Sequence, residues 1–376
     1  MQTHDVLIIG AGIAGASLAW RLARQGRRVL LLEQEAQPGT HSTGRSAAMF
    51  MQSYGPPGVR ALTRASRAFY LAPPPGFADA PLLTPRPALF VATAEQSAAL
   101  AALADTLAAS GSPLKPLKPA QLAQAMPALK PGLFAQALLD DDSWDIDVHA
   151  LLHGFLRGAR QAGARFLPGT TAQAADWTGG AWQVVLSDGN AVRAAVVANA
   201  AGAWADEVAA RFGAAPIGLQ PRRRSAFTFR PPEGVDVSAW PMVCDVDEQW
   251  YFKPDAGQLF GSPANADPVP PHDVQPEELD IALGIDRLQQ VTGWTIRRPS
   301  ATWAGLRSFV PDGEIVIGFD AACPGFFWLA GQGGYGIQSA AGASELAASL
   351  IAGTPLPDAL AAHGVNPAVV SPRRLR

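Results

Sequence analysis

The hexapeptide Gly10-Ala11-Gly12-Ile13-Ala14-Gly15, set directly behind the apolar run Val6 to Ile9, constrains this chain more than any other feature. The run is of β type, and Ala16 to Gln25 has the Ala, Leu and Arg content of a helix, ended by Gly26. A second apolar run, Arg27 to Leu32, ends on Glu33 and completes a βαβ unit of about 30 residues. Gly10 supplies the tight turn, Gly12 lets a pyrophosphate approach the backbone, and Gly15 lets the helix pack on the strand. The helix N-terminus, at Ile13 and Ala14, adds affinity for an anion. Glu33 with Gln34 closes the second strand, where a carboxylate accepts hydrogen bonds from ribose hydroxyls and repels a 2′-phosphate. The chain therefore opens as a Rossmann-like nucleotide domain that disfavours NADP.

The choice between FAD and NAD turns on three segments rich in small residues. Gln37 to Ala48, directly after the ribose strand, holds small residues, hydroxyls and one arginine (Ser42, Thr43, Arg45, Ser46, Ala47, Ala48), suited to wrapping a pyrophosphate beneath a flat ring system. A second small-residue segment, Asn199 to Trp204 with Ala200 and Gly202, comes after a buried strand. A third, Gly331 to Gly336 with Gly333, Gly334 and Tyr335, opens a last helix at Ile337. Three such segments meeting at one nucleotide predict an FAD threaded through the domain, with Ala172 and Gly305 beside it.

Between these segments the chain departs and returns. Pro73 to Pro87 is dense in proline and leads to a strand-like Ala88 to Thr93 and a helical Ala94 to Ser110. A helix from Val148 to Ala162, a strand at Arg165 to Leu167, a hairpin around Gly179-Gly180 and the apolar run Ala194 to Ala198 resume the nucleotide domain. Segments around Ser225 to Phe229, Gln249 to Lys253 and Leu259 to Ser262 predict an antiparallel sheet between about residues 220 and 305. The fold expected is α/β: a discontinuous FAD-binding domain (1–85, 146–218, 306–376) and an α+β substrate-binding domain (86–145, 219–305).

Composition excludes other classes. With 48% hydrophobic and 16% charged residues and a net charge of -3, the chain is too apolar for disorder and has no basic excess for nucleic acid. Cys244 and Cys323 are far apart and form no CxxC pair, so neither a disulfide framework nor a metal site is expected. No run approaches the ~18 apolar residues of a membrane span, and the first residues lack a signal peptide's basic region, which reads as cytoplasmic. Loose peripheral association with a membrane stays open.

Several stretches resemble the D-amino acid oxidase superfamily of flavoproteins, and within it the FAD-dependent D-amino acid dehydrogenases of the D-arginine dehydrogenase type. They are Gly10 to Gly15, His41 to Ala48, Leu219 to Phe227, Gly261 to Asp267, Thr302 to Phe309, Gln332 to Gln338 and Ser371 to Leu375. The resemblance implies oxidative deamination of a D-amino acid by hydride transfer from Cα to flavin N5, giving an imine that water converts to a 2-oxo acid and ammonia. An electron acceptor of unspecified kind (quinone, electron-transfer protein or O2) then takes the electrons. By similarity Arg224 and Arg307 clamp the substrate carboxylate, Tyr54 and Tyr251 donate hydroxyls, and Gly334 and Gln338 lie beside flavin and amine. Arg222 and Arg223 are read as structural, and His41 and His149 as loop or surface residues. No cysteine stands beside Arg307, where covalently flavinylated sarcosine oxidases carry theirs, so noncovalent FAD is expected.

The departures fall in the side-chain pocket. Relatives that prefer arginine or lysine carry a glutamate where this chain has Ala88, and Met49 and Met51 replace a histidine and a threonine. With Met242 and Cys244, the predicted walls are apolar and adaptable, favouring neutral hydrophobic side chains over that of D-Arg. Alternatives are an oxidase of glycine, sarcosine or another secondary amine, and a non-catalytic flavin-binding module.

Overall fold

The computed structural model describes residues 1–376. The strand Gln2–Ile9 lies inside an eight-stranded sheet, parallel to Val29–Leu32 on one side and to Ala191–Asn199 on the other. Val29–Leu32 is buried at every position, as expected of a strand covered on both faces. Arg165–Leu167 and Phe326–Ala330 extend the parallel part, and the hairpin Ala172–Thr178 with Ala181–Leu186 adds antiparallel strands at one edge. The helices Val148–Gln161 and Gly336–Ala352 both pack against Ile13–Arg24 through a core that includes Trp20, Phe155 and Leu346. Burial of each such side chain contributes about 1.5–3 kcal/mol.

The first helix begins at Ile13, three residues before the helical composition starts at Ala16. Gly10 alone makes the turn, with φ +100 and so little room that a Cβ would meet the Ala200 carbonyl at 2.5 Å. A Cβ on Gly15 would stand 1.9 Å from the Gly10 carbonyl, which accounts for the glycine spacing.

The second sheet differs from the expected antiparallel one over residues 220 to 305. It has nine strands and recruits Ala88–Ala92, Lys115–Leu117 and Gln136–Asp140 from the earlier excursion. Ala88–Ala92 and Met242–Asp245 pair in parallel, because the chain between them passes through the other sheet as a long crossover. The strand Ala301–Phe309 continues past residue 305 and pairs with Gln220 to Thr228 of the strand Gln220–Phe229. The proline-rich stretch is not only a connection: Leu83–Pro85 forms a three-stranded sheet with Met49–Phe50 and Trp144–Ile146.

Candidate active site

Two adjoining clefts of about 790 and 830 Å3 run past the C-terminal ends of the parallel strands and share Ser42, Thr43 and Gly202. This is where open parallel sheets bind ligands. The first cleft gathers Gly10, Gly12, Glu33, Gln34, Ala172, Ala200 and Trp204. Glu33 is held in place there, Oε2 accepting from Ala11 N at 2.8 Å and Oε1 from Glu35 N at 3.0 Å. Gly12 caps the helix without a side chain, and Thr43 Oγ1 accepts from Ile13 N at 3.0 Å, so donors and hydroxyls converge where an anion would lie.

The second cleft gathers Ile13, Ser46, Ala47, Gly305, Gly333, Gly334, Gly336 and Ile337. Its wall is thin because glycine dominates it, which lets a planar ring system lie against backbone. An extended dinucleotide carrying such a ring fits these residues. Ala14 and Gly15 lie buried in the helix and line neither cleft, acting through packing. Tyr335 also stands outside the lining, its ring 4.9 Å from that of Tyr54. Arg45 lines the second cleft, but its donors are taken by the carbonyls of Thr40, Val274 and Ala304 and by Asp273, so it ties this loop to the second sheet.

A third cavity of about 690 Å3 opens from the second cleft, sharing Arg224, Tyr251, Arg307 and Gly334 with it. Register brings the two arginines together. Arg224 stands opposite Gly305, and Arg307 opposite Arg222, so alternation puts both guanidinium groups on one face of the sheet. Arg223 points the other way, into ion pairs with Asp280 and Glu277.

Neither Arg224 nor Arg307 meets a carboxylate of the protein. Arg224 Nε donates to the Asn265 carbonyl at 2.6 Å and its Cζ lies 6.0 Å from the Tyr251 ring centre. Arg307 Nη1 donates to the Tyr54 hydroxyl at 3.3 Å. Burial, then Arg307, pulls the Arg224 pKa down. Burial also opposes the charge on Arg307, but Tyr54, Tyr251 and Glu248 outweigh it and hold its pKa above the ordinary value. Burial pushes the Tyr54 phenol and the Cys244 thiol up, which keeps both protonated. Two half-buried arginines side by side without acidic partners are uncommon, and a ligand carboxylate would complete this pair.

Met49, Met51, Met242, Cys244 and Gln338 line the cavity together with Tyr54. Gln338 is a clamp for the loop that bears Tyr54: its Oε1 accepts from Met51 N at 3.3 Å and its Nε2 donates to the Tyr54 carbonyl at 3.1 Å. Ala88 is fully buried and does not line the cavity; it lies behind the wall, paired in register with Met242 and Asp140. The expectation that Ala88 leaves the cavity without a carboxylate is therefore corrected, because Glu248 lines it. Phe90 and Trp250 also belong to the lining, and His41 and Arg211 to the first cleft. Alternation along Ala88–Ala92 could have pointed to Phe90, two residues from Ala88 on the same face. Nothing in the local sequence marks Glu248.

A Rossmann-like sheet with a dinucleotide cleft, opening on a cavity with an arginine pair, defines an oxidoreductase of the flavoprotein class. A family model described as FAD dependent oxidoreductase matches residues 5–350, and the chain belongs to this family. The protein is thus an FAD-dependent oxidoreductase. Its fold is similar to that of L-proline dehydrogenase from P. horikoshii, with TM-score 0.81 and 21% identity over 99% of this chain and 98% of that one. It is equally similar to glycine oxidase from Geobacillus kaustophilus, with TM-score 0.81 and 21% identity over 95% and 96% of the two chains. A curated relative, the tRNA 5-methylaminomethyl-2-thiouridine biosynthesis bifunctional protein MnmC from Methylibium petroleiphilum, is 38% identical over 52 residues. That match covers 14% of this chain and only 8% of the relative. No helix is long and apolar enough to cross a membrane.

Proposed function

We propose that the protein deaminates D-amino acids oxidatively, with a preference for neutral, hydrophobic side chains. The observation that carries this reading is the pair Arg224 and Arg307, without protein counter-ions, at one end of a cavity that joins the cofactor cleft. Bound FAD supplies the acceptor for the hydride that leaves Cα. The arginine pair holds the carboxylate in the plane of its forks, and the Tyr54 and Tyr251 hydroxyls complete its shell. A phenol kept protonated by burial serves Tyr54 as a donor and not as a base. Solvent takes the ammonium proton before the hydride leaves, and water later hydrolyses the imine to the 2-oxo acid and ammonia.

Side-chain preference follows from the walls. Of 18 lining residues 12 are hydrophobic, among them Met49, Met51, Phe90 and Met242, whose thioethers and ring adapt to aliphatic and aromatic groups. Glu248, the one acidic residue of the lining, is exposed, so a guanidinium pressed against the buried thioethers and away from it would be desolvated without a partner, which costs several kcal/mol. Walls with this many large apolar side chains offer contacts that glycine or sarcosine would leave unused, which argues against a glycine-type oxidase. The D configuration rests on the resemblance.

Anaerobic bleaching of the bound flavin by a panel of D- and L-amino acids, glycine and sarcosine tests the reading. Fast bleaching by D-Leu, D-Met or D-Phe, slow by D-Arg and none by L-forms is expected. Bleaching by glycine or sarcosine alone overturns it, and a yellow protein bleached by no amine is a binding module. Acid precipitation that leaves the flavin in the supernatant checks that FAD is noncovalent.

A further inference from the structure

We propose that Glu248 is a specificity residue at the cavity mouth, opposing the arginine pair so that zwitterions are favoured over ligands with an extra or unbalanced negative charge. The inference rests on the amino acid reading of this site and deepens it.

Glu248 is the single acidic side chain lining the substrate cavity. It is solvent-exposed, on the hairpin between Met242–Asp245 and Tyr251–Asp255, so it stands at the mouth and not at the floor. No lysine, arginine or histidine of the protein engages its carboxylate. Its backbone is left-handed, with φ +53, a conformation uncommon outside glycine.

The hairpin is built to hold it. Asp245 Oδ2 accepts from Asp247 N and Gln249 N, each at 3.1 Å. Gln96 Nε2 bridges Asp245 and Asp247, each at 2.8 Å, and Arg287 donates to the Gln249 carbonyl. The hairpin backbone is therefore held beside the cavity, and the field of Glu248 reaches inside. After burial, it is the strongest influence raising the Cys244 thiol pKa, and it also raises those of Tyr335 and Arg307.

Charge counting gives the consequence. Arg224 and Arg307 alone present +2 and would take any carboxylate, including the 2-oxo acid the reaction yields. Glu248 reduces the cavity to +1. A zwitterionic amino acid brings its own ammonium and loses little, whereas a 2-oxo acid or an acidic D-amino acid adds a net negative charge that Glu248 repels. The same carboxylate thus selects against acidic side chains and weakens product inhibition.

The experiment compares FAD-loaded wild type, Glu248→Gln, Glu248→Asp and Asp247→Asn, the last changing charge on the same hairpin outside the lining. Two quantities are read: the ratio of kcat/KM for D-Glu to that for D-Met, and the Kd of the methionine-derived 2-oxo acid from flavin absorbance. In Glu248→Gln the ratio is expected to rise about fivefold and the Kd to fall by a similar factor, with both effects shrinking at high salt. Glu248→Asp should restore most of the discrimination, and Asp247→Asn should shift neither quantity more than about twofold. A ratio and a Kd in Glu248→Gln both within twofold of wild type overturn the proposal. If no D-amino acid reduces the wild-type flavin, the functional reading fails, and the oxo-acid titration still decides whether Glu248 opposes anions.

Discussion

Arg307 donates from Nη1 to the Tyr54 hydroxyl at 3.3 Å, joining the strand Ala301–Phe309 to the loop after Met49–Phe50. The contact uses one of five guanidinium donors and leaves the outer fork for a carboxylate. Arg307→Lys keeps the charge and loses the fork. Losing a fork hydrogen bond to a charged group costs about 1.5–3 kcal/mol, so kcat/KM for the best D-amino acid should fall by roughly 10- to 100-fold, chiefly through KM. Steady-state kinetics on protein with unchanged flavin content checks this, and a loss under tenfold would remove Arg307 from the clamp.

Tyr54→Phe deletes the acceptor of that bond and one hydroxyl facing the substrate. Removing one hydrogen bond to a charged group costs about 1.5–3 kcal/mol, so KM should rise by roughly 10- to 100-fold. The pH profile separates a donor from a base. Burial raises the Tyr54 pKa, so the phenol stays protonated to higher pH than an ordinary tyrosine. In wild type kcat/KM should therefore rise once with pH, as the substrate amine loses its proton, and Tyr54→Phe should keep that shape. A variant profile that loses the rise would make Tyr54 the base.

How much of this was legible in the sequence differs between the two halves of the site. Gly10, Gly12, Gly15 and Glu33 lie within one βαβ unit, so local spacing gave both the turn and the carboxylate that lines the first cleft. Arg224 and Arg307 meet only through the pairing of Gln220–Phe229 with Ala301–Phe309, which no local pattern encodes; the resemblance supplied them. Ala88 was misplaced because it shares a face with Phe90 but its methyl is covered by the larger side chains packed with it, among them Met49, Met51 and Met242, whereas Phe90 reaches the lining. Glu248 escaped notice because a glutamate in a hairpin turn reads as a solvated one. Arg45 has the composition of a phosphate ligand, yet Asp273 and two carbonyls from distant segments claim it.

Met51 is 3% exposed and packs in the wall with Met49, Phe90 and Met242. Met51→Ala should destabilise the protein by about 2–5 kcal/mol through lost contacts and a new void. The same void lengthens the side-chain cavity. Relative kcat/KM should move toward D-Trp and D-Phe and away from D-Ala, with urea unfolding and a substrate panel as the measurements. An unchanged order of preference would place the substrate side chain elsewhere.

Beside Met49 lies a partly buried charge network. Asp145, in register with Met49, accepts from Arg86 Nε at 2.7 Å and from Lys253 Nζ at 2.6 Å. The Lys253 side chain is only 6% exposed, and that carboxylate is its counter-ion. Asp145→Asn leaves two cations facing a neutral amide and should cost about 3–5 kcal/mol, read as a lowered urea midpoint at unchanged slope. Replacing the lysine as well, in Asp145→Asn/Lys253→Met, removes one uncompensated charge and should recover at least half of the loss. A double variant no more stable than the single one would show that Arg86, also bonded to the Ser238 and Trp240 carbonyls, is where the loss arises.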